Sequence, residues 1–98
     1  MSEDVYHVPW QEFVASLTLL QIPIKVTWLR RSVGTRSGYI RLNFRFQDEP
    51  MVRSVLDGYK LWRVQRADAP AFIYFKIPVM RFSGIPAGPH SLTLNSER

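Results

Sequence analysis

The chain has 98 residues, which is enough for one domain, and its hydrophobic fraction of 46% is typical of a packed protein rather than a disordered one. It contains no cysteine, which excludes disulfides, thiolate metal sites and cysteine nucleophiles. A formal net charge of +5 favours an acidic partner, either a nucleic acid or an acidic protein.

The start of the chain and its longest uncharged segment bear on its location. Met1-Ser2-Glu3-Asp4 is acidic, whereas a secretory signal begins with basic residues. The uncharged segment 13–24 contains polar side chains and is shorter than the ~20 apolar residues that span a membrane. We therefore expect a soluble, cytoplasmic protein that does not contact a membrane.

The first predicted element is a helix over residues 9–21. Its apolar residues recur at spacings of three and four: Trp10, Phe13, Val14, Leu17 and Leu20. Pro9 suits the first helical position, where an N–H would have no partner within the helix, and Pro23 ends the pattern. A strand through residues 16–20 is the competing interpretation.

Two strands follow, and we expect them to pair as a hairpin. Residues 22–31 alternate apolar and polar side chains, and residues 39–46 alternate without a break. In the second strand, one face would carry Ile40, Leu42, Phe44 and Phe46, and the other Tyr39, Arg41, Asn43 and Arg45. The connection between the strands is basic and contains two glycines.

The second half of the chain predicts a short helix and further strands. Asp48 is a candidate N-cap, Pro50 lies near the first helical position, and Gly58 suits the residue just past the helix end. Strands are predicted at residues 59–66, 71–79 and 90–94, with a turn at 66–70 and a loop at 82–89.

Together these elements predict an α+β fold with a small, mostly antiparallel sheet of four to five strands, one long N-terminal helix and one short helix. If the first helix is instead a strand, the alternative is an all-β sandwich or barrel. We expect a single domain over residues 1–98, with tails at residues 1–8 and 95–98.

The polar face of the predicted hairpin is the first candidate site. It would carry Lys25, Thr27, Tyr39, Arg41, Asn43 and Arg45, joined by Tyr74 and Lys76 if the later strands pair in the right register. Basic side chains bind phosphates, and exposed rings stack on the bases of single-stranded nucleic acid. The alternative is a solvated face with no ligand, since every one-sided sheet turns polar residues to water.

Two further clusters are candidates. Arg30, Arg31 and Arg36 lie in the hairpin loop and could hold phosphate, although a solvated loop with protective charges is the more common structure. A second cluster comprises Tyr59, Trp62, Arg63 and Arg66. Its tryptophan could stack on a base or anchor a protein partner, but we expect it to be part of the core.

The sequence argues against an enzyme. His7 and His90 lie near opposite ends of the chain without metal-type partners, and Asp48 with Glu49 reads as a helix start rather than an acid/base pair. We expect no catalytic residue, no metal and no cofactor.

The function that the sequence favours is nucleic-acid binding. The residues expected to carry it are Lys25, Arg30, Arg31, Arg36, Tyr39, Arg41, Asn43 and Arg45. The alternative is a protein-interaction or assembly module, for example a phage-type accessory or structural protein, that binds an acidic protein or forms a homodimer through an exposed edge at 72–79 or 92–94.

Overall fold

The computed structural model describes residues 7–30, 38–62, 64–68, 70, 72–86 and 91–96, with the backbone alone at residues 29 and 30. Its α-helices are α1 (Trp10–Leu19) and α2 (Glu49–Gly58), and short 3₁₀ helices lie at Phe46–Asp48 and Val79–Arg81. The main sheet contains β2 (Ile24–Arg30), β3 (Gly38–Arg45), β4 (Gln65–Asp68), β5 (Phe72–Pro78) and β7 (Ser91–Leu94). Two short strands, β1 (Val8–Pro9) and β6 (Phe82–Ser83), form a separate parallel pair.

The main sheet is antiparallel throughout, with the strand order β4-β5-β3-β2-β7. Strands β2 and β3 pair as the predicted hairpin, from Ile24 opposite Phe44 to Arg30 opposite Gly38. The predicted α+β fold is confirmed, and the sandwich or barrel alternative is wrong, because the sheet stays open between β4 and β7.

One face of the sheet carries the core, because the apolar residues of each strand alternate onto it. Its fully buried strand residues include Val26, Ile40, Leu42, Ile73, Phe75 and Ile77. Both helices pack on this face through their buried side chains: Trp10, Phe13 and Leu17 of α1, and Val52 and Leu56 of α2. The described part of the fold is therefore two-layered, and neither α1 nor α2 covers the opposite face of the sheet.

Helix α1 follows the predicted apolar period, begins after Pro9 and ends at Leu19. Its carbonyl end is closed by Asn95, whose Nδ2 donates to the carbonyl oxygens of Thr18 at 3.0 Å and Ile22 at 3.2 Å. The Thr18 carbonyl also accepts from the backbone N–H of Gln21 at 3.1 Å, so the side chain of Asn95 adds to the backbone closure of the helix end. Asn95, expected to begin the C-terminal tail, thus ties β7 to α1.

The described structure has a strand pair before the predicted helix. Val8 was expected to end the N-terminal tail, but it pairs with Phe82 and is fully buried. The parallel pair therefore closes one end of the core beneath Trp10, whose ring packs edge-on against Phe82 at 5.2 Å between centroids.

Helix α2 starts where the sequence predicted, directly after Asp48 and with a proline in its first turn. It has ten residues, as many as α1, so the expectation of one long and one short helix was wrong. The Asp48 carboxylate does not cap the helix and instead accepts a hydrogen bond from Nε of Arg45 at 2.8 Å.

The segment after α2 differs most from the prediction. Tyr59 and Lys60 close the helix rather than open a strand, with Lys60 in the left-handed region at φ 61°. Strand β4 then covers Gln65–Asp68, which overlaps the end of the strand predicted at 59–66 and the start of the turn predicted at 66–70. These residues pair with β5 in spite of their weak local strand preference.

Trp62 was expected in the core, but the residue is 64% exposed. The neighbouring Leu61 is buried instead. Adjacent residues of an extended segment point in opposite directions, so only one of these two side chains can reach the core.

Candidate nucleic-acid interface

The face of the sheet opposite the helices, here called the open face, is set by the strand register. Its described residues are Ser91 and Thr93 of β7, Lys25 and Thr27 of β2, Tyr39, Arg41, Asn43 and Arg45 of β3, Phe72, Tyr74, Lys76 and Pro78 of β5, and Gln65 and Ala67 of β4. None of these described residues is acidic, and four are cationic, so the open face is positive.

At the centre of the open face, two cations lie over two tyrosine rings. The guanidinium carbon of Arg41 is 5.2 Å from the ring centroid of Tyr74. The ammonium nitrogen of Lys76 is 5.6 Å from the ring centroid of Tyr39. Both pairs are diagonal across β3 and β5, at the distance where a cation is attracted to a ring.

A groove of about 650 Å³ crosses one end of the open face. Its polar and charged lining residues are Lys25, Thr27, Arg41, Asn43, Arg45, Gln47 and Thr93. Its apolar lining residues are Pro23, Ile24, Phe44 and Phe72, of which Phe44 is only 1% exposed. The groove thus combines cations and neutral hydrogen-bonding groups with the exposed ring of Phe72, a combination that suits the phosphates and bases of a nucleic acid.

Phe72 is the open-face ring most available for stacking. Phe72 is 49% exposed and lies directly opposite Arg45 where β3 pairs with β5. By contrast, Lys76 lies over Tyr39 and Arg41 lies over Tyr74. Within the described face, a base would therefore stack on Phe72 without first displacing a cation.

A second hollow of about 400 Å³ lies beyond β5 and is lined by Gln65, Arg66, Ala67, Tyr74 and Lys76. Tyr74 and Lys76 line this hollow and lie on the strand next to Asn43 and Arg41, which line the groove. Polar surface therefore extends across the sheet from β7 to β4.

Arg45 stands at the rim of the groove, and its orientation depends on α2. Its Nε donates a hydrogen bond to the carboxylate of Asp48, and Asp48 is a buried residue of which only 6% is exposed. This ion pair offsets part of the charge that Arg45 adds to the groove. Asp48 therefore positions one of the predicted phosphate ligands at the start of α2.

The structure brings together five of the eight predicted site residues: Lys25, Tyr39, Arg41, Asn43 and Arg45. The backbone of Arg30 ends β2, and nothing further is described for its side chain. Arg31 and Arg36 lie outside the described residues, as does the loop they were predicted to form. Tyr74 and Lys76 do share the face, as the sequence allowed.

The predicted cluster around Trp62 does not form a site among the described residues. Tyr59 packs edge-on against Phe13 and hydrogen-bonds with Ser16 at 2.9 Å, which joins the end of α2 to α1. Arg66 is bound to Glu49 through two hydrogen bonds, at 2.7 and 2.9 Å. Arg63 lies outside the described residues.

Glu49 is the centre of an ion-pair network on the helix side of the sheet. The hydrogen bond from Arg66, aided by the one from Arg53, lowers the pKa of Glu49 to about 2. The same carboxylate raises the pKa of Arg66. The network anchors β4, an edge strand, to the first turn of α2.

Two features that mark other functional classes are absent from the described part of the chain. There, no group of three or more histidine, cysteine, aspartate or glutamate side chains is placed to hold a metal ion. Neither α1 nor α2, the α-helices of that part, has the length and apolar character needed to cross a bilayer.

Sequence reasoning missed Phe72, Gln47 and Thr93 as lining residues of the groove. The signal for Phe72 was present, since it precedes Tyr74 and Lys76 at the strand period of two. Gln47 had no such signal, because a 3₁₀ turn at Phe46–Asp48 places it there.

No protein-family model matches the chain, and neither a curated protein nor a solved structure is significantly similar to it.

Proposed function

We propose that the protein binds single-stranded nucleic acid across the open face. The observation that carries the proposal is the groove itself: Lys25, Arg41 and Arg45 converge on one side of a two-layered fold, with no acidic residue among the described lining residues. Such a surface attracts a polyanion from a distance and holds phosphates by charge-assisted hydrogen bonds.

The neutral residues of the groove favour a nucleic acid over a simple anion. Asn43 carries an amide that can both donate to and accept from a base edge, and Thr27 and Thr93 offer hydroxyls. Phe72 offers a ring, and base–aromatic stacking contributes about 1–3 kcal/mol per base. Stacking needs an unpaired base, so the ligand we propose is single-stranded.

The first test is a fluorescence-anisotropy titration with labelled single-stranded DNA, single-stranded RNA and duplex of one sequence. We expect the single strands to bind more tightly than the duplex. Arg41→Gln should weaken single-strand binding about tenfold, the cost of one charge-assisted contact. Lys60→Gln, which removes the same charge at the end of α2, is the matched control and should bind like wild type.

A second pair of variants tests the ring. Phe72→Ala should weaken single-strand binding by roughly tenfold or more, in line with the loss of one stacked base. Phe46→Ala is the control, because Phe46 is 61% exposed but does not line the groove. Absence of binding at low salt, or equal losses in Phe72→Ala and Phe46→Ala, would contradict the proposal.

A protein-interaction module is the second candidate. Trp62 and Met80 are 64% and 66% exposed, and large exposed apolar side chains are common anchors of protein interfaces. The strand at 72–79, one of two expected dimer edges, is wrong in that role because β5 lies between β3 and β4, whereas β7 is an edge. A preparation free of nucleic acid that elutes as a dimer would favour this candidate.

A cytoplasmic location and the absence of enzymatic activity stay predictions from the sequence. Both agree with a binding protein that contacts nucleic acid. Localisation of a tagged full-length chain tests the first.

A further inference from the structure

We propose that Arg41 and Lys76 form a phosphate-binding pair at the centre of the open face. The ligand group is a phosphate ester or diphosphate, and the proposal rests on the proposed function only in taking that phosphate from a nucleic-acid strand.

The first step is the register. Arg41 and Lys76 lie directly opposite each other on β3 and β5, so both side chains leave the same face from backbones about 5 Å apart. Two like charges in this arrangement repel each other and destabilise the strand pair.

The second step is the direction in which the cations lean. Arg41 lies over Tyr74, which precedes Lys76 by two residues, and Lys76 lies over Tyr39, which precedes Arg41 by two residues. Because the strands are antiparallel, these rings stand on opposite sides of the pair. The two cations therefore diverge, as their repulsion requires, and each lies against a ring.

The third step is to ask whether a carboxylate of a neighbouring element already neutralises the charge of Arg41 and Lys76. Asp48 binds Arg45 at the end of β3, and Glu49 and Asp68 bind Arg66 on the helix side. In the described part of the open face no carboxylate accompanies Arg41 and Lys76.

The fourth step is an unsatisfied donor. Nε of Arg41 is shielded from solvent and no described atom accepts a hydrogen bond from it, so a phosphate reaches it once the side chain leaves the ring of Tyr74. Thr27 and Gln65 flank the pair in the same cross-strand row and add a hydroxyl and an amide. A phosphate between the cations would accept from these donors and replace repulsion by two attractive contacts.

The test is thermal unfolding with inorganic pyrophosphate, compared with sodium chloride at equal ionic strength. At ten times its Kd, pyrophosphate should raise the wild-type melting temperature by roughly 6 °C. Arg41→Gln and Lys76→Gln should lose most of that rise, whereas Lys76→Arg, which keeps the charge, and the control Lys60→Gln should retain it. Circular dichroism establishes that each variant is folded.

Equal rises in wild type, Arg41→Gln and Lys76→Gln, or no rise in wild type, would overturn the phosphate-binding pair. A single-strand titration separates this outcome from failure of the proposed function. Pyrophosphate protection without oligonucleotide binding would support the pair as a site for small phosphate esters and refute nucleic-acid binding. Oligonucleotide binding that is unchanged in Lys76→Gln would overturn the pair alone.

Discussion

Replacing Arg41 by glutamine removes one charge from the centre of the open face, and the salt dependence of binding measures that loss. Each phosphate that a protein neutralises releases counterion from the nucleic acid, so the logarithm of the binding constant falls linearly with the logarithm of salt. For a single strand the slope is about −0.7 per phosphate contact. The slope therefore counts contacts, which an affinity alone does not.

The count follows from the described face. Lys25 offers one phosphate contact and the Arg41–Lys76 pair offers a second, whereas Arg45 is already balanced in part by Asp48. Two contacts predict a slope of about −1.4, which is a roughly sevenfold loss of affinity between about 50 and 200 mM salt. Arg41→Gln should reduce the slope toward about −0.7, a loss of roughly threefold over that range.

The assay is the anisotropy titration repeated at four or more salt concentrations, with Lys60→Gln as the control for a charge lost elsewhere. The control should keep the wild-type slope. If Arg41→Gln binds with the wild-type slope, the guanidinium does not contact phosphate and the reasoning fails. A wild-type slope near zero would refute the electrostatic basis of the interface as a whole.

Three further predictions concern stability. Leu42 is fully buried at the centre of the sheet, so Leu42→Ala should lower the free energy of unfolding by about 2–5 kcal/mol in a urea titration. In the same titration the control Leu19→Ala, at a site 79% exposed, should change the free energy of unfolding by less than about 0.5 kcal/mol. The pKa of Glu49 is lowered from 4.5 to about 2, so its ionisation stabilises the fold above pH 4.5, and that contribution is lost as the pH falls toward 2. Because the ion pair is partly screened by solvent, we expect a loss of about 1 kcal/mol, absent in Glu49→Gln, and identical acid transitions of the two proteins would contradict it. Trp62→Ser should leave the melting temperature within about 2 °C of wild type, since the exposed ring adds little to the core; a large drop would place Trp62 in a packed contact.

The elements predicted best are those whose side chains repeat with one period. The spacing of Trp10, Phe13 and Leu17 predicted α1, and the alternation from Tyr39 to Arg45 matches the buried and half-buried residues of β3 throughout. Period and face are local properties, because they depend only on the geometry of the helix or strand itself.

The elements predicted worst are those that tertiary contacts impose. β4 has one exposed edge and little intrinsic strand preference, and it exists because its residues pair with β5 and Arg66 binds Glu49. Leu61 and Trp62 alternate correctly, yet alternation alone does not tell which of them faces the core.

In the candidate site, too, some features follow from local strand geometry and others from tertiary contacts. The sequence by itself determined that Arg41, Asn43 and Arg45 share one face of a strand, because side chains two residues apart point the same way. Only the tertiary structure decided which strand lies beside them. The hydrogen bonds between β3 and β5 join strands whose paired residues are 27 to 39 positions apart, and they set Lys76 opposite Arg41 and Phe72 opposite Arg45. The pairing of distant strands depends on the packing of the whole core, and that pairing turned one basic strand into a groove.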